Sequence, residues 1–184
     1  MKSGLLKYII LSFVFMWFSC AKEIDFTQGE DLEISPIMEV SLVYLDEPAS
    51  GFMVNNSPAV LHDDAVMGVF SDQFVVDNLT RADLFFEIGN SIDRNLLLTL
   101  NFYDVSDQLQ HSISIPIPSS PNNEVIVTEH TEVLEGTSLE ALKRTERIEF
   151  ILEVDSGNPV DDDTLGRIYL KSKGTFYFNI DTSE

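Results

Sequence analysis

The chain has 184 residues, with 11 Lys and Arg against 31 Asp and Glu, so its formal net charge at pH 7 is −20. Such an acidic composition argues against nucleic-acid binding, because neutralising phosphates requires clustered Lys and Arg. The 13 Phe and 5 Tyr residues favour a packed core over a disordered chain. A single cysteine excludes an internal disulfide framework and a zinc site built from several cysteines.

The first twenty residues have the organisation of a secretory signal peptide. Lys2 and Lys7 form a short basic region, and Tyr8–Phe18 is almost wholly apolar. This apolar stretch is shorter than the roughly 20 residues that a membrane-spanning helix needs, so it predicts export rather than a permanent span. Cys20, which is the single cysteine of the chain, follows directly.

The sequence Trp17-Phe18-Ser19-Cys20 resembles the end of a bacterial lipoprotein (type II) signal peptide, in the relaxed form found in the Bacteroidota. The resemblance implies that Cys20 is the lipidation site, where the thiol receives a diacylglyceryl group and the cysteine becomes the new N-terminus. Two or more acyl chains anchor a protein stably, so we expect a membrane-bound mature chain. The alternative is an ordinary signal peptide with Cys20 as an incidental buried thiol.

Residues 20–33 are expected to form an acidic tether behind the lipid. Ala21–Glu33 has five acidic residues and no apolar period, which favours a solvated linker. Lys22-Glu23 followed by Asp25 resembles the export signal that sends Bacteroidota lipoproteins to the cell surface; a plain spacer is the alternative. We therefore expect a lipid-anchored outer-membrane protein, with the cell surface favoured over the periplasmic face but the face left undecided.

From residue 34 onward, alternating apolar and polar residues predict antiparallel strands with one buried face. The same-parity sets are Met38, Val40, Leu42 and Tyr44; Leu84, Phe86 and Ile88; Leu96, Leu98, Leu100 and Phe102; His111, Ile113, Ile115 and Ile117; Ile148, Phe150, Leu152 and Val154; and Leu170, Phe176, Phe178 and Ile180. Pro116 and Pro118 would remove ladder donors, so their strand is expected at a sheet edge. Two facing sheets would bury every set, which predicts an all-β, antiparallel β-sandwich, immunoglobulin-like in the loose sense. A closed barrel is the alternative.

Two segments depart from this alternation. Thr137-Ser138-Leu139-Glu140 has the pattern of a capping box, which predicts one short helix over 138–146, crossing between the sheets. Residues 55–65 have no clear period and are expected to form an irregular loop. The predicted organisation is thus a lipoprotein signal peptide at 1–19, the lipidated cysteine and tether at 20–33, and the sandwich domain at 34–184.

The sequence contains no recognisable catalytic constellation. His62 and His130 lie far apart, and no His-x-x-x-His, Gly-x-Ser-x-Gly or phosphate-loop pattern occurs. Gly89-Asn90-Ser91 lacks the second glycine of a nucleophile turn. We therefore predict no catalytic residue, no cofactor and no enzymatic activity. A hydrolase with two facing carboxyls is the least favoured alternative.

The densest acidic cluster is Asp155, Asp161, Asp162 and Asp163. Calcium takes roughly six to eight oxygen ligands, but the spacing of these residues matches no EF-hand, so we predict a solvated turn and no metal site. Asp163-Thr164-Leu165 resembles the Asp-Ser/Thr-aliphatic acceptor for O-glycosylation in periplasmic and surface proteins of the Bacteroidota. The resemblance implies Thr164 as the modified residue; an unmodified turn is the alternative.

Three tyrosines, Tyr103, Tyr169 and Tyr177, fall on the solvent parity of their strands. Exposed aromatic side chains can stack on sugars or anchor a partner, so they are the candidate contacts for a glycan or a protein. The alternative is cross-strand pairing within the sheet.

Over residues 20–181, the chain resembles small Bacteroidota lipoproteins of the flavobacterial type, which have a type II signal peptide and a β-sandwich domain. The stretches that carry the resemblance are CAKEIDF, LTRADLFFEIGNS, TEVLEGTSLEALKR and KGTFYFNID. It implies a location and a fold but no activity. The sequence therefore predicts a non-enzymatic protein, lipid-anchored at the outer membrane or cell surface, that binds a protein partner or is an accessory subunit of an envelope complex. The alternative is a surface glycan-binding module.

Overall fold

The computed structural model describes residues 33–54, 57–58, 61–156, 160–161 and 163–181. Glu33–Ile180 form one compact unit. The predicted signal peptide, Cys20 and nearly all of the acidic tether lie outside the described residues. Within the described part, no helix has both the length and the hydropathy needed to cross a bilayer.

The described residues form twelve strands, two short α-helices and two 3₁₀ turns. The strands are β1 (Glu33–Ile34), β2 (Ile37–Pro48), β3 (Met53–Val54), β4 (Ser57–Pro58), β5 (Leu61–Val66), β6 (Leu79–Asn90), β7 (Asn95–Tyr103), β8 (Leu109–Ile117), β9 (Ile126–Leu134), β10 (Arg147–Ser156), β11 (Arg167–Phe178) and β12 (Ile180–Asp181). The α-helices are α1 (Gln73–Asn78) and α2 (Thr137–Lys143), and the 3₁₀ turns are Ala49–Phe52 and Gly68–Ser71.

Eight of the strands form two four-stranded sheets. The first sheet has the order β2-β11-β6-β9 and the second has the order β5-β10-β7-β8. All neighbouring strands in these sheets pair antiparallel. Helix α2 connects β9 of the first sheet to β10 of the second. The predicted all-β sandwich with a short helix crossing between the sheets is confirmed, and the closed barrel is wrong.

The hydrophobic core lies between the inner faces of the two sheets. It contains the side chains of the predicted parities: Leu84, Phe86 and Ile88 on β6; Leu96, Leu98, Leu100 and Phe102 on β7; Ile113, Ile115 and Ile117 on β8; Ile148, Phe150 and Leu152 on β10; and Leu170, Phe176 and Phe178 on β11. Strand β8, which contains Pro116, lies at the edge of its sheet, as its missing backbone donor predicts.

The predicted alternation of β2 is wrong at Tyr44. The register of β2 against β11 shifts there, so that Leu42 and Val43 both lie opposite Ser172. The Ser172 hydroxyl accepts a hydrogen bond from the Val43 amide (2.9 Å) and donates one to the Val43 carbonyl (3.1 Å). Because such a bulge inserts one residue into the strand, Tyr44 turns to solvent with 68% of its surface exposed, and Leu45 takes the inner face.

Two further local predictions are wrong. Residues 61–65, expected in an irregular loop, belong to the edge strand β5 and pair with β10. Their own sequence has no clear alternation, and the ladder with the partner strand makes them a strand. The capping box is also absent: Gly136, at φ 54°, precedes the first helical residue Thr137 without a side-chain cap. The Ser138 hydroxyl instead bonds the backbone of Glu135, accepting from its amide (3.1 Å) and donating to its carbonyl (2.9 Å).

The end of β6 is fixed by the side chain of Asn90, which is 0% exposed. Its Nδ2 donates to the carbonyl oxygens of Pro118 (2.8 Å) and Arg94 (3.1 Å), and its Oδ1 accepts from the amide of Ile92 (2.9 Å). Asn90 belongs to the first sheet, whereas Arg94 precedes β7 and Pro118 follows β8 of the second sheet. One buried amide therefore joins the ends of both sheets.

The residue after Asn90 connects this corner to β11. The Ser91 hydroxyl donates to the carbonyl of Arg167 (3.1 Å) and accepts from its amide (2.9 Å). Gly166 has φ 104°, and a Cβ there would lie 2.3 Å from the Ser91 carbonyl oxygen. Both the backbone angle and the lack of space require glycine at this position. Ser91 is thus a backbone anchor, in keeping with the absence of a nucleophile motif around it.

We expect Phe86→Ala to lower the free energy of unfolding by about 3–5 kcal/mol, because a fully buried aromatic side chain is replaced by a cavity. Phe85→Ala is the matched control, since Phe85 is only half-buried on the opposite face of the same strand, and we expect a loss of about 1 kcal/mol. Chemical denaturation measures both values. Equal losses would contradict the register of β6.

We expect Asn90→Ala to destabilise the protein by roughly 2–4 kcal/mol, because it leaves buried backbone groups without their hydrogen-bond partner. The control is Asn101→Ala: Asn101 is half-buried and its Nδ2 bonds Glu149 (3.0 Å) near solvent, so a loss of about 1 kcal/mol or less is expected. Urea titrations of both variants test this ranking. A neutral Asn90→Ala would show that the amide does not hold the corner.

Candidate functional site

The two sheets leave a cleft open between their edge strands β2 and β5. Its upper part, defined as the part at the Leu61 end of β5, is a cavity of about 210 Å³ with a mostly apolar lining. The lining residues are Val43, Leu45 and Glu47 of β2, Leu61 and Asp63 of β5, Ile88, Leu98, Phe150, Leu152, Ile168 and Leu170. Because Ile88 and Leu98 belong to the central strands β6 and β7, this cavity reaches from the sandwich edge into the space between the sheets.

The lower part of the same cleft is a second cavity, also of about 210 Å³. Its lining includes Met38 and Val40 of β2, Ala65 and Val66 of β5, and Phe150, which also lines the upper cavity. Met38 is 36% exposed and Val66 is 73% exposed, so apolar side chains reach the surface at its mouth. We call the two cavities together the β2–β5 cleft.

Two carboxylates line the upper cavity, one from each edge strand. Asp63 lies opposite the core residue Phe150, and both Glu47 and Asp63 belong to the cavity lining. Among the described residues, neither carboxylate has an ion-pair partner; Asp63 accepts one hydrogen bond, from the adjacent amide of Asp64 (2.9 Å). The cleft therefore combines an apolar interior with unneutralised negative charge.

The neighbouring acids on the outer faces of the same strands are neutralised. Asp46 lies 2.7 Å from Arg167, and Asp64 lies 2.8 Å from Arg147. Within the described part of the chain, the outward-facing carboxylates thus have cations and the inward-facing pair has none. This difference distinguishes the cleft from a generally acidic surface.

The opposite seam, between the edge strands β8 and β9, is closed. Nε2 of His111 on β8 lies 3.2 Å from Oε1 of Glu132 on β9, and Nε2 of His130 lies 3.3 Å from Oε2 of the same carboxylate. Helix α2 contacts both β8 and β9. Here an inward-facing acid contacts one imidazole across the sheets, that of His111, and one on its own strand, that of His130.

Both imidazoles also pack on core aromatic rings. The ring centroid of His111 lies 5.5 Å from that of Phe102, and the centroid of His130 lies 6.4 Å from that of Phe86. The sequence does not predict this cluster, because His130 and Glu132 share strand β9 whereas His111 joins them from β8 of the other sheet. Across the described ranges, no group of three or more His, Cys, Asp or Glu side chains is arranged to hold a metal ion.

The predicted tyrosine contacts do not form one surface. Tyr103 lies on β7 of the second sheet, whereas Tyr177 lies on β11 of the first. The Arg147 Cζ lies 4.5 Å from the ring centroid of Tyr103, and the Arg81 Cζ lies 5.3 Å from that of Tyr177. Their hydroxyls donate to acids of their own sheets, Tyr103 to Glu149 (3.1 Å) and Tyr177 to Asp83 (3.2 Å).

Tyr169, the third candidate, lies near the other end of β11 and covers Gly89 of β6. A Cβ at Gly89 would overlap the tyrosine ring, so glycine leaves the space that the ring fills. Nζ of Lys171 lies 4.8 Å from the ring centroid. Burial, assisted by the charge of Glu87, raises the pKa of the Tyr169 phenol. The packing of Tyr169 on Gly89 is a cross-strand pairing of the kind that stabilises sheets, whereas Lys171 belongs to the same strand as Tyr169. Glycan binding by the tyrosines stays a prediction.

The acidic loop contains a local turn around Thr164. The Thr164 hydroxyl donates to Oδ1 of Asp161 (2.6 Å) and accepts from the Asp161 amide (2.9 Å). The hydrogen bond from Thr164 lowers the pKa of the Asp161 carboxyl. Asp155 and Asp163 are exposed, and Asp162 lies outside the described residues. Glycosylation of Thr164 and the solvated character of the loop stay predictions.

No protein-family model matches the sequence, and no curated protein matches it. Among solved structures, the chain is similar to a protein of Parabacteroides distasonis described as secreted, with a TM-score of 0.41 and 13% identity over 64% of this chain and 37% of that one. It is also similar to the enzymatically active domain of tailspike protein 4 of bacteriophage CBA120 (TM-score 0.37, 14% identity, 79% of this chain and 19% of that one). A third similarity is to VP2 of infectious bursal disease virus (TM-score 0.35, 8% identity, 82% and 33%). The chain thus spans well under two thirds of each of these proteins.

We expect the Tyr169 phenol to ionise above pH 10, its ordinary value, because burial and Glu87 both disfavour the phenolate. Since the folded-state pKa is raised, the stability that this phenol contributes is fully present below pH 10 and is lost as the pH rises through the folded-state pKa. Glu87→Gln should move its ionisation down towards pH 10, and Tyr169→Phe should remove it. Ultraviolet titration of phenolate absorbance measures both changes. A Tyr169 phenol indifferent to Glu87→Gln would indicate a side chain free of the sheet network.

Proposed function

We propose that this chain is a lipid-anchored protein of the outer membrane or cell surface that carries out no reaction of its own and binds a protein partner, as an accessory subunit of an envelope complex. The observation that carries the binding role is the β2–β5 cleft. Exposed apolar surface that continues into a cavity is typical of interaction sites, since soluble domains bury such surface when they can. The opposite seam of the same sandwich, closed by Glu132 and its histidines, is the internal comparison.

The anchor rests on the sequence around Cys20. Removal of residues 1–19 takes away Lys2 and Lys7, which changes the formal net charge from −20 to −22. A protein with this charge gains nothing from anionic headgroups, so membrane attachment would depend on the acyl chains alone. The acidic residues between Cys20 and β1 would then hold the folded domain away from the lipid surface.

We expect Cys20→Ser to move the protein from the membrane fraction to the soluble fraction, because the thiol that accepts the lipid is removed. Fractionation after a high-salt wash, followed by immunoblotting, measures the distribution. Ser19→Ala is the control, since it changes the adjacent small residue and leaves the thiol. Retention of Cys20→Ser at the membrane would contradict the lipoprotein assignment.

The partner is tested by placing a photo-crosslinking phenylalanine analogue in the full chain in living cells. We expect irradiation to give a discrete adduct when the analogue replaces Val66, which lines the mouth of the cleft. Val133 is the matched control, because it is also a valine, is 46% exposed and lies on β9, at the opposite edge of the first sheet from β2. No adduct at position 66, or equal adducts at both positions, would contradict binding through this cleft.

A further inference from the structure

We propose that the β2–β5 cleft binds an extended, positively charged segment of the partner protein, which adds as a strand to an edge of the sandwich and inserts two apolar side chains four residues apart into the two cavities. This inference rests on the proposed function, because it specifies the chemistry of the partner. It follows from the edge strands, the spacing of the cavities and the charge of the lining.

The edge strands supply backbone groups for an added strand. Among the described residues, β2 pairs with β11 alone and β5 with β10 alone, so one side of each backbone has no strand partner. Such an edge presents a row of N–H and C=O groups that an extended peptide can pair with. The cleft runs between these two edges, so a bound strand would lie along its mouth.

The spacing of the cavities selects the apolar positions of that strand. On β5, the upper cavity is lined by Leu61 and the lower one by Ala65 and Val66. A strand rises about 3.3 Å per residue, so Leu61 and Ala65 are about 13 Å apart. An extended ligand covers the same distance between residues i and i+4, whose side chains point to the same face. Between the cavities, Phe150 separates the two apolar side chains.

The charge of the cavity lining selects the ligand residues that lie between and beside its two apolar side chains. Asp63 lies between Leu61 and Ala65 on β5, and Glu47 lies on β2 at the upper cavity. Neither has a cation among the described residues, whereas Asp46 and Asp64 on the outer faces do. Two carboxylates that line an apolar cleft without a cation among the described residues favour a ligand that brings Lys or Arg, because opposite charges on the two partners attract each other. A negatively charged or purely aliphatic ligand would leave both carboxylates unneutralised.

The test uses the purified full-length, lipidated chain in detergent micelles and a fluorescent nine-residue peptide of alternating threonines, with Leu at its second and sixth positions and Lys at its fourth and eighth. We expect binding, measured by fluorescence anisotropy, to be at least about tenfold tighter than for the same peptide with Glu in place of Lys. N-methylation of alternate peptide amides should abolish binding, because an added strand needs its backbone donors. No binding of the Lys peptide at millimolar concentration would overturn the proposal.

The protein variants separate a specific pair of carboxylates from general negative charge. Glu47→Gln/Asp63→Asn should weaken binding of the Lys peptide about tenfold. Asp46→Asn/Asp64→Asn removes the same two charges from the outer faces of the same strands and should change binding less than about threefold. Thermal melts verify that both double variants fold. Equal losses in the two would show long-range attraction alone and would overturn the proposal.

Failure of this inference is distinguishable from failure of the proposed function. A photo-adduct at position 66 that persists unchanged in Glu47→Gln/Asp63→Asn would leave partner binding in place and overturn the charged-strand chemistry. Peptide binding without any adduct in cells would support the chemistry of the cleft and contradict the role assigned to the protein in the envelope.

Discussion

The sandwich depends on the buried amide of Asn90. This side chain ends β6 of the first sheet and bonds the backbone at one end of the second sheet, at Arg94 before β7 and at Pro118 after β8. A buried amide whose donors and acceptor are all used specifies one geometry, because any other leaves polar groups unsatisfied. Ser91 and Gly166 extend the same corner to β11. With this end fixed, the sheets face each other in one register and the apolar parities of their strands become a common core.

With the sheets fixed at this corner, two lateral seams remain between edge strands, one between β8 and β9 and one between β2 and β5. Different side chains line the two seams. At the β8/β9 seam, Glu132 accepts contacts from His111 and His130, and the seam is closed. At the β2/β5 seam, Glu47 and Asp63 occupy inward-facing positions without a cation among the described residues, over cavities of about 210 Å³ each. Inward-facing charges on edge strands also oppose indiscriminate sheet-to-sheet association. Under the proposal made above, such a cleft would disfavour another acidic edge and favour a basic strand.

The outer faces of the sheets have a different organisation. Each predicted tyrosine contacts a cation, and Tyr103 and Tyr177 also donate to a carboxylate of their own sheet. These networks use the few positive charges of the chain, because 31 acids compete for 11 Lys and Arg. Among the residues that the structure describes, the inward-facing acids on the open edge, Glu47 and Asp63, have no cation. The composition thus shows that acids outnumber cations, and the arrangement of the strands decides which acids have no cation.

The sequence by itself determined the sandwich class and the buried parities of β6, β7, β8, β10 and β11, because alternation along a strand is a local property that directly reports which face is dry. Pro116 likewise predicted an edge strand, because proline has no backbone N–H to donate to a second neighbouring strand. Tertiary structure decided the rest. The bulge that turns Tyr44 outward depends on a hydroxyl of the paired strand, Ser172, and β5 is a strand because β10 pairs with it. The closed and the open seam each bring together side chains from two different sheets. These residues are far apart in the sequence, so no local pattern predicts that they meet.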